Sequence, residues 1–342
     1  MKALQLVKAG KVDLVEIAVP DPGEDQLLVR TGIALICTSD LKDIRSNPFG
    51  IRLPTVLGHE GAGTVVSVGR KVSGFSPGDR AAAHPVHPCG RCPNCLDGLA
   101  HLCSAMGHFG INMQGTFAEC FVVRADRARL VPPAVPLSAA ALTEPVCVCL
   151  EALARARLPE RGTLLVIGDG PFGAIIARLA AALPLQKTVI AGRHDFRLSF
   201  AGSAQKVNTS RAADIRGELL ALTDGRGFDA VVVAVGTPQA ARQGLALLKA
   251  RGRLVVFSAI PGDTPIDLFS VHVRELEVVG ACNDEDKLDE ALAWLAGPGL
   301  GLERLVTHEF PLSRHYEAFE LAESRHDQAM KVGFVFGQEQ GQ

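Results

Sequence analysis

The stretch TLLVIGDGPFGAII (163–176) does most to constrain what this chain can fold into. A continuous apolar run ends in Gly168, Gly170 and Gly173, spaced G-x-G-x-x-G, and a helical pattern follows over 171–183. The first glycine makes a tight turn, the second lets backbone approach a pyrophosphate, and the third allows close helix–strand packing. The pyrophosphate would rest on the amides at the helix N-terminus, where Pro171 and Phe172 begin the helix. In a strand–turn–helix setting this pattern predicts a dinucleotide site.

The texture on either side supports that reading. Downstream, the strands TVIAG (188–192), FDAVVVAVG (228–236) and RLVVFSAI (253–260) alternate with helical patterns near 196–203, 211–222 and 238–250. Continuous apolar strands separated by helices imply a parallel sheet covered on both faces. Gly236, at the end of one such strand, joins the candidate cofactor residues. Upstream, residues 1–145 read as short strands and turns, such as LLVRTGIALI, GTVVSVG and FAECFVVRA. After LEVVGA (276–281) come a helix near 286–296 and the strand-like VTHEF and KVGFVFG.

Seventeen residues, HPCGRCPNCLDGLAHLC (87–103), hold Cys89, Cys92, Cys95 and Cys103. An odd total of nine cysteines, in a chain whose charged N-terminal stretch does not resemble an export signal, argues against a disulfide scaffold. Four thiolates around one ion is the closed arrangement of structural zinc, which leaves no open position for substrate. An iron–sulfur cluster is the rival, because similar C-x₂-C-x₂-C runs hold them; thiols scattered in a loop is the bland alternative. A nucleic-acid-binding finger would need a clustered positive field. The net charge is −2 with both signs interspersed, so nucleic acid is not expected as a partner. No apolar run reaches about 18 residues, so no membrane span is expected and the chain reads as cytoplasmic.

A second set of metal-binding residue types is dispersed: Cys37 in ICTSD, His59 and Glu60 in VLGHEGAG, and Glu144 in LTEPVCV. Taken singly, Cys37 could be a small buried hydrophobe, His59 a turn residue and Glu144 a helix-capping acid before Pro145. Together they offer one thiolate, one imidazole and two carboxylates, a set that suits a catalytic zinc with an open position.

On CTSD (37–40), GHEGAGTVVSVG (58–69), GDR (78–80), the four-cysteine lobe, EP (144–145), GDGPFG (168–173) and VTHEFPLSRHYEAFE (306–320), nearly the whole chain resembles the zinc-dependent medium-chain dehydrogenases. The Glu-Pro pair is closer to the sorbitol and threonine dehydrogenase branch than to simple alcohol dehydrogenases. The resemblance implies an α/β protein with a GroES-like, mainly-β catalytic domain and a Rossmann, doubly wound coenzyme domain. The expected boundaries are 1–147 for the catalytic domain, with its zinc lobe at 87–104, 148–282 for the coenzyme domain, and 283–342 returning to the catalytic domain. Two zinc ions per chain are implied: a catalytic one on Cys37 and His59, with Glu60 and Glu144 completing or exchanging in its shell, and a structural one on the four cysteines. The implied chemistry is oxidation of a secondary alcohol of a polyol, sugar, amino sugar or cyclitol. Zinc acts as a Lewis acid that lowers the pKa of the bound alcohol, and a nicotinamide accepts the hydride. A simple alcohol or aldehyde, or a 3-hydroxy amino acid such as threonine, is the alternative substrate. A zinc-finger-like binding protein is the alternative outside enzymes. Ser39 matches the family's proton-relaying hydroxyl. Lys42 stands where many relatives carry a relay histidine. A homodimer or homotetramer is expected, and Phe49 and Phe109 are candidate apolar lining for a substrate pocket.

Cofactor choice turns on the end of the second strand, where an NAD site of this kind carries an acid that bonds the ribose 2′-hydroxyl. That position is Gly192, followed by Arg193, with Arg197 nearby. Without the acid, and with a guanidinium able to grip a 2′-phosphate, NADP is favoured over NAD. In the opposing reading Arg193 points to solvent and Asp195 serves the ribose, so that NAD is used.

Overall fold

The apolar strands that follow residue 162 assemble into one six-stranded sheet in the computed structural model, which describes residues 1–48, 50–211, 213–297, 299–324 and 328–337. In chain order the strands are Thr163–Ile167, Lys187–Gly192, Gln205–Asn208, Phe228–Val233, Leu248–Val256 and Glu277–Gly280. All pairings are parallel, and the spatial order is third, second, first, fourth, fifth, sixth. That is the doubly wound Rossmann order, with its switch point between the first and fourth strands. Helices Pro171–Ala181, Ile215–Ala221 and Pro238–Ala246 lie between strands. Leu165, Val189, Phe228, Val231, Val233 and Leu254 are buried in one cluster. Each fully buried side chain of this kind stabilises by about 1.5–3 kcal/mol. These strands belong to a compact unit spanning Val148–Asp284.

Several boundaries differ from the sequence expectation. The helix expected over 238–250 stops at Ala246, because Leu248 joins the sheet opposite Phe228 and the register slips before Arg253 meets Ala230. An apolar pair such as Leu247–Leu248 suits a helix or a strand equally, and the sheet edge wins. The following strand ends at Val256 rather than 260. The strand expected to run to 236 ends at Val233. The helix expected over 211–222 begins only at Ile215, where the Asp214 side chain caps it by accepting from the Gly217 amide. Near 196–203 there is one α-turn, Asp195–Leu198, and a short 3₁₀ turn.

The second compact unit, Met1–Cys147 with Glu285–Gln342, is mainly β. Its principal sheet runs Ala128–Leu130, Arg80–Ala83, Glu60–Val68, Gln26–Leu35, Lys331–Val335, Val306–Phe310, with Cys120–Arg124 also paired to Gln26–Leu35. Register decides what meets at the end of the central strand. Leu35 pairs with Glu60 on one side and with Gly333 on the other, and the Ile36 amide bonds the Val332 carbonyl. Cys37, Glu60 and Lys331 therefore converge from segments up to 294 residues apart. Among the described residues no helix is long and apolar enough to cross a membrane.

Candidate metal and cofactor sites

Cys37 occupies the N-cap of helix Thr38–Ser46, in extended conformation (φ −94°, ψ 157°). Asp40, three residues on, reaches back so that its Oδ2 accepts from the Cys37 amide at 2.8 Å, the reciprocal bond of a capping box. Its other oxygen lies 3.3 Å from His59 Nδ1. A proton held on Nδ1 by this contact leaves the lone pair of Nε2 to face a metal, the arrangement that carboxylates impose on metal-binding histidines. Ser39 Oγ lies 3.4 Å from that Nε2. Lys42 is exposed on the same helix.

The ligand atoms of Cys37, His59 and Glu60 lie within 4.8 Å of one another, and all three residues are buried. Burial pushes the His59 ring toward its neutral form, but the Asp40 carboxylate and then Cys37 outweigh it and raise its pKa well above the ordinary value. A buried site with this anionic field and one thiolate, one imidazole and one carboxylate fits a divalent zinc ion. The Glu60 carboxylate is fully buried and held by both oxygens on the Lys331 ammonium, itself 3% exposed. Burial lowers the Lys331 pKa, while Glu60, Cys37 and Glu144 together leave it above the usual lysine value. Glu144, in the first turn of helix Thr143–Ala156, acts on Lys331 and is outside the close trio. The His108 ring packs edge-on to His59 at 5.5 Å, and burial followed by the His59 charge lowers its pKa to about 4.

The four-cysteine lobe is equally well formed. Cys89, Cys92, Cys95 and Cys103 bring their sulfurs together, with Cys92 Sγ 3.5 Å from Cys95 Sγ and 3.7 Å from Cys103 Sγ. A tetrahedron with Zn–S bonds of about 2.3 Å has edges of about 3.8 Å, so the spacing fits one ion rather than a multi-iron cluster. Amides of Cys95 and Ser104 pull the Cys92 thiol down to about 5, while burial and its thiol neighbours push Cys95 up to about 11. Negative charge is thus crowded into a place where a dication relieves it.

In the parallel unit, the glycine turn fits a dinucleotide. Gly168 sits at φ +126°, and a Cβ on Gly173 would fall 1.9 Å from the Gly168 carbonyl oxygen, so that turn and helix close only with glycine. Gly170 caps helix Pro171–Ala181, with open space where a side chain would stand. The Phe172 ring packs on Phe257, and Gly236 approaches the Ala259 carbonyl closely. Gly192 closes the second strand; Arg193 beside it is exposed. Asp195 is bound to the Asn208 amide at 2.6 Å and to Arg211.

Comparison with known proteins bears on the fold and the family. Residues 23–133 match the alcohol dehydrogenase GroES-like domain, and residues 171–297 match the zinc-binding dehydrogenase domain. A D-altritol 5-dehydrogenase of Agrobacterium fabrum is 32% identical, over 98% of this chain and 99% of its own. The chain belongs to the zinc-dependent medium-chain dehydrogenases. A zinc-binding dehydrogenase from Sinorhizobium meliloti, solved bound to NADP, superposes with a TM-score of 0.91 at 25% identity, covering 98% of this chain and 99% of that one. The NADH complex of an alcohol dehydrogenase from Escherichia coli CFT073 gives 0.89 at 27% identity, with the same coverage. As a medium-chain dehydrogenase the protein is a zinc-dependent oxidoreductase of the alcohol dehydrogenase type that works with a nicotinamide cofactor.

One expectation is overturned. Phe109 is fully buried between His87 and Phe121 in the core of the β-rich unit, so it lines no pocket. Phe49 lies outside the described residues. Three residues escaped the sequence reading: Asp40, Lys331 and Asp169. Asp40 was visible in principle as the acid of a capping box. Lys331 was visible as one cation opening an apolar strand, Lys331–Val335. Asp169 stands inside the glycine motif, from which the sequence points to Gly168, Gly170, Pro171, Phe172 and Gly173 alone.

Proposed function

We propose that this dehydrogenase oxidises a secondary hydroxyl of a polyol or related sugar alcohol, and catalyses the reverse reduction, with NADP preferred over NAD. The observation that carries the reading is the buried Cys37–His59–Glu60 trio, oriented by Asp40 and bordered by Ser39. In it Cys37, His59 and Glu60 would hold the catalytic zinc, with Glu144 as the further carboxylate able to complete or exchange in its shell. Cys89, Cys92, Cys95 and Cys103 would hold a second, structural zinc. A zinc held at the first site would supply Lewis acidity toward the substrate oxygen, with a bound nicotinamide as the hydride acceptor.

The remaining work falls to side chains. Asp40 keeps His59 in one tautomer and orientation. Ser39 Oγ takes the hydroxyl proton and passes it outward. Lys331 compensates the Glu60 charge, so a carboxylate can stand in a dry site. The Gly168–Gly173 turn seats the pyrophosphate, and Arg193 with Arg197 meets the 2′-phosphate. The polyol class is supported by the altritol dehydrogenase relative.

Self-association is supported by exposed apolar surface in the parallel unit. Leu268, Phe269 and Val273 protrude from helix Leu268–Val273, and Val278 from the edge strand Glu277–Gly280. We propose a homodimer, or a tetramer built from dimers, through this edge.

Reduced-nicotinamide absorbance followed across hexitols, pentitols, cyclitols, simple alcohols and L-threonine tests the substrate reading. The highest kcat/KM is expected on a polyol. A clear preference for ethanol or L-threonine would replace this reading with one of its alternatives.

A further inference from the structure

Asp169 lies between the first two glycines of the dinucleotide turn, and its carboxylate reaches the residues that follow the second strand. Oδ2 accepts from the Arg193 amide at 2.7 Å, from the His194 amide at 2.8 Å and faces His194 Nδ1 at 3.0 Å. Oδ1 lies 3.9 Å from the Arg197 guanidinium, whose side chain is 14% exposed. A Cβ on Gly192 would fall 2.3 Å from Asp169 Cβ and 2.7 Å from Oδ2. Asp169 therefore fills the volume that any side chain at position 192 would need. The carboxylate that an NAD site carries at the end of this strand arrives instead from the glycine turn, and it arrives already engaged.

That engagement decides its role. Burial alone would raise the Asp169 pKa, but the His194 and Arg193 bonds bring it below the ordinary carboxylate value, so it stays ionised. Two backbone amides and an imidazole on one oxygen, with a guanidinium facing the other, leave little capacity to accept from a ribose hydroxyl. The same contacts fix the backbone of Arg193 and His194 while the Arg193 side chain stays exposed.

We propose that Asp169 is a positioning residue for cofactor choice: it pins the Gly192–His194 turn and Arg197 so that Arg193 is presented to the 2′-phosphate of NADP. The inference rests on the NADP reading above. It separates two effects that a bare carboxylate would confuse, because an unpaired acid here would repel a 2′-phosphate, whereas a compensated one organises its receptor.

The test is calorimetric titration of NADP and NAD into zinc-loaded protein without substrate, for wild type, Arg193→Ala, Asp169→Ala and the double variant. The readout is the ratio of the two dissociation constants, to which a general loss of fold contributes nothing. Wild type is expected to favour NADP by roughly ten- to a hundredfold, the worth of one charge-assisted contact. Arg193→Ala should remove most of that preference. Asp169→Ala should remove a similar share while NAD affinity moves by less than about threefold, and the double variant should be no worse than Arg193→Ala. Gly192→Ala reaches the same contact from the other side and should match Asp169→Ala; Asp169→Asn, which keeps an oxygen for the amides, should fall between. Equal weakening of both cofactors, tighter NADP binding, or selective loss of NAD binding by Asp169→Ala would each overturn the role of Asp169. An NAD-preferring wild type whose ratio ignores Arg193→Ala would overturn the NADP reading itself, and this inference with it. An intact Arg193 effect beside a silent Asp169→Ala sinks only the latter.

Discussion

Replacing Lys331 by Met should be among the most damaging single changes to the β-rich unit. Lys331 and Glu60 form a buried pair with side chains 2% and 0% exposed, joined through both carboxylate oxygens. Methionine fills similar volume, so little of the cost comes from packing. With the Cys37–His59–Glu60 site free of metal, the cost comes from Glu60, left as a dry charge without its cation, and breaking one side of a buried pair costs about 3–5 kcal/mol. Typical total stability is about 5–15 kcal/mol, so the variant should unfold at visibly lower urea. Trp294, the sole tryptophan, lies in helix Leu288–Ala296 of the same unit, and its fluorescence follows this transition without interference from the parallel unit. Adding Glu60→Gln to Lys331→Met should recover much of the loss, because it removes the uncompensated charge. If Lys331→Met unfolds within about 0.5 kcal/mol of wild type, a range ordinary for surface changes, the pair does not carry the Glu60 charge and the argument fails.

Three further outcomes follow from single contacts. Ser39→Ala should lower kcat by roughly 10²–10⁴-fold with zinc content unchanged, and a near-normal kcat would take Ser39 out of the proton path. Cys92→Ser should remove one zinc per chain and lower the Trp294 transition, since metal binding at such a site is coupled to folding; full zinc content would contradict a four-thiolate site. Asp229, bonded to the Thr163 amide and hydroxyl and paired with Lys249, has its pKa depressed despite burial. It therefore stabilises above its unfolded value of about 3.9, and that contribution is lost as pH falls through the lower folded value. Asp229→Asn should flatten the acid limb of the stability curve, and an unchanged limb would mean the pair contributes nothing.

What the sequence discloses by itself is chiefly local. The glycine turn and the four-cysteine run are short, and each chemical demand is met within one loop, so spacing alone exposed them. The Cys37–His59–Glu60 trio needed residue types from two segments, and resemblance to a family joined them. Lys331 could not be joined to Glu60 in this way, because only the sheet register around Leu35 places a residue 271 positions away on that carboxylate. Asp169 is a different failure, since both of its partners are near in the fold yet 24 and 25 residues away in the chain. The misplaced helix end at Ala246 came from an apolar pair with no period of its own.

Zinc content measured beside turnover, in wild type and in Cys37→Ala, bears most directly on the proposed catalytic metal. Wild type should hold two zinc ions per chain. Cys37→Ala should keep one, keep its fold and lose turnover, because the closed lobe of Cys89, Cys92, Cys95 and Cys103 is untouched. A Cys37→Ala protein that retains two zinc ions and oxidises substrate at the wild-type rate would contradict the account.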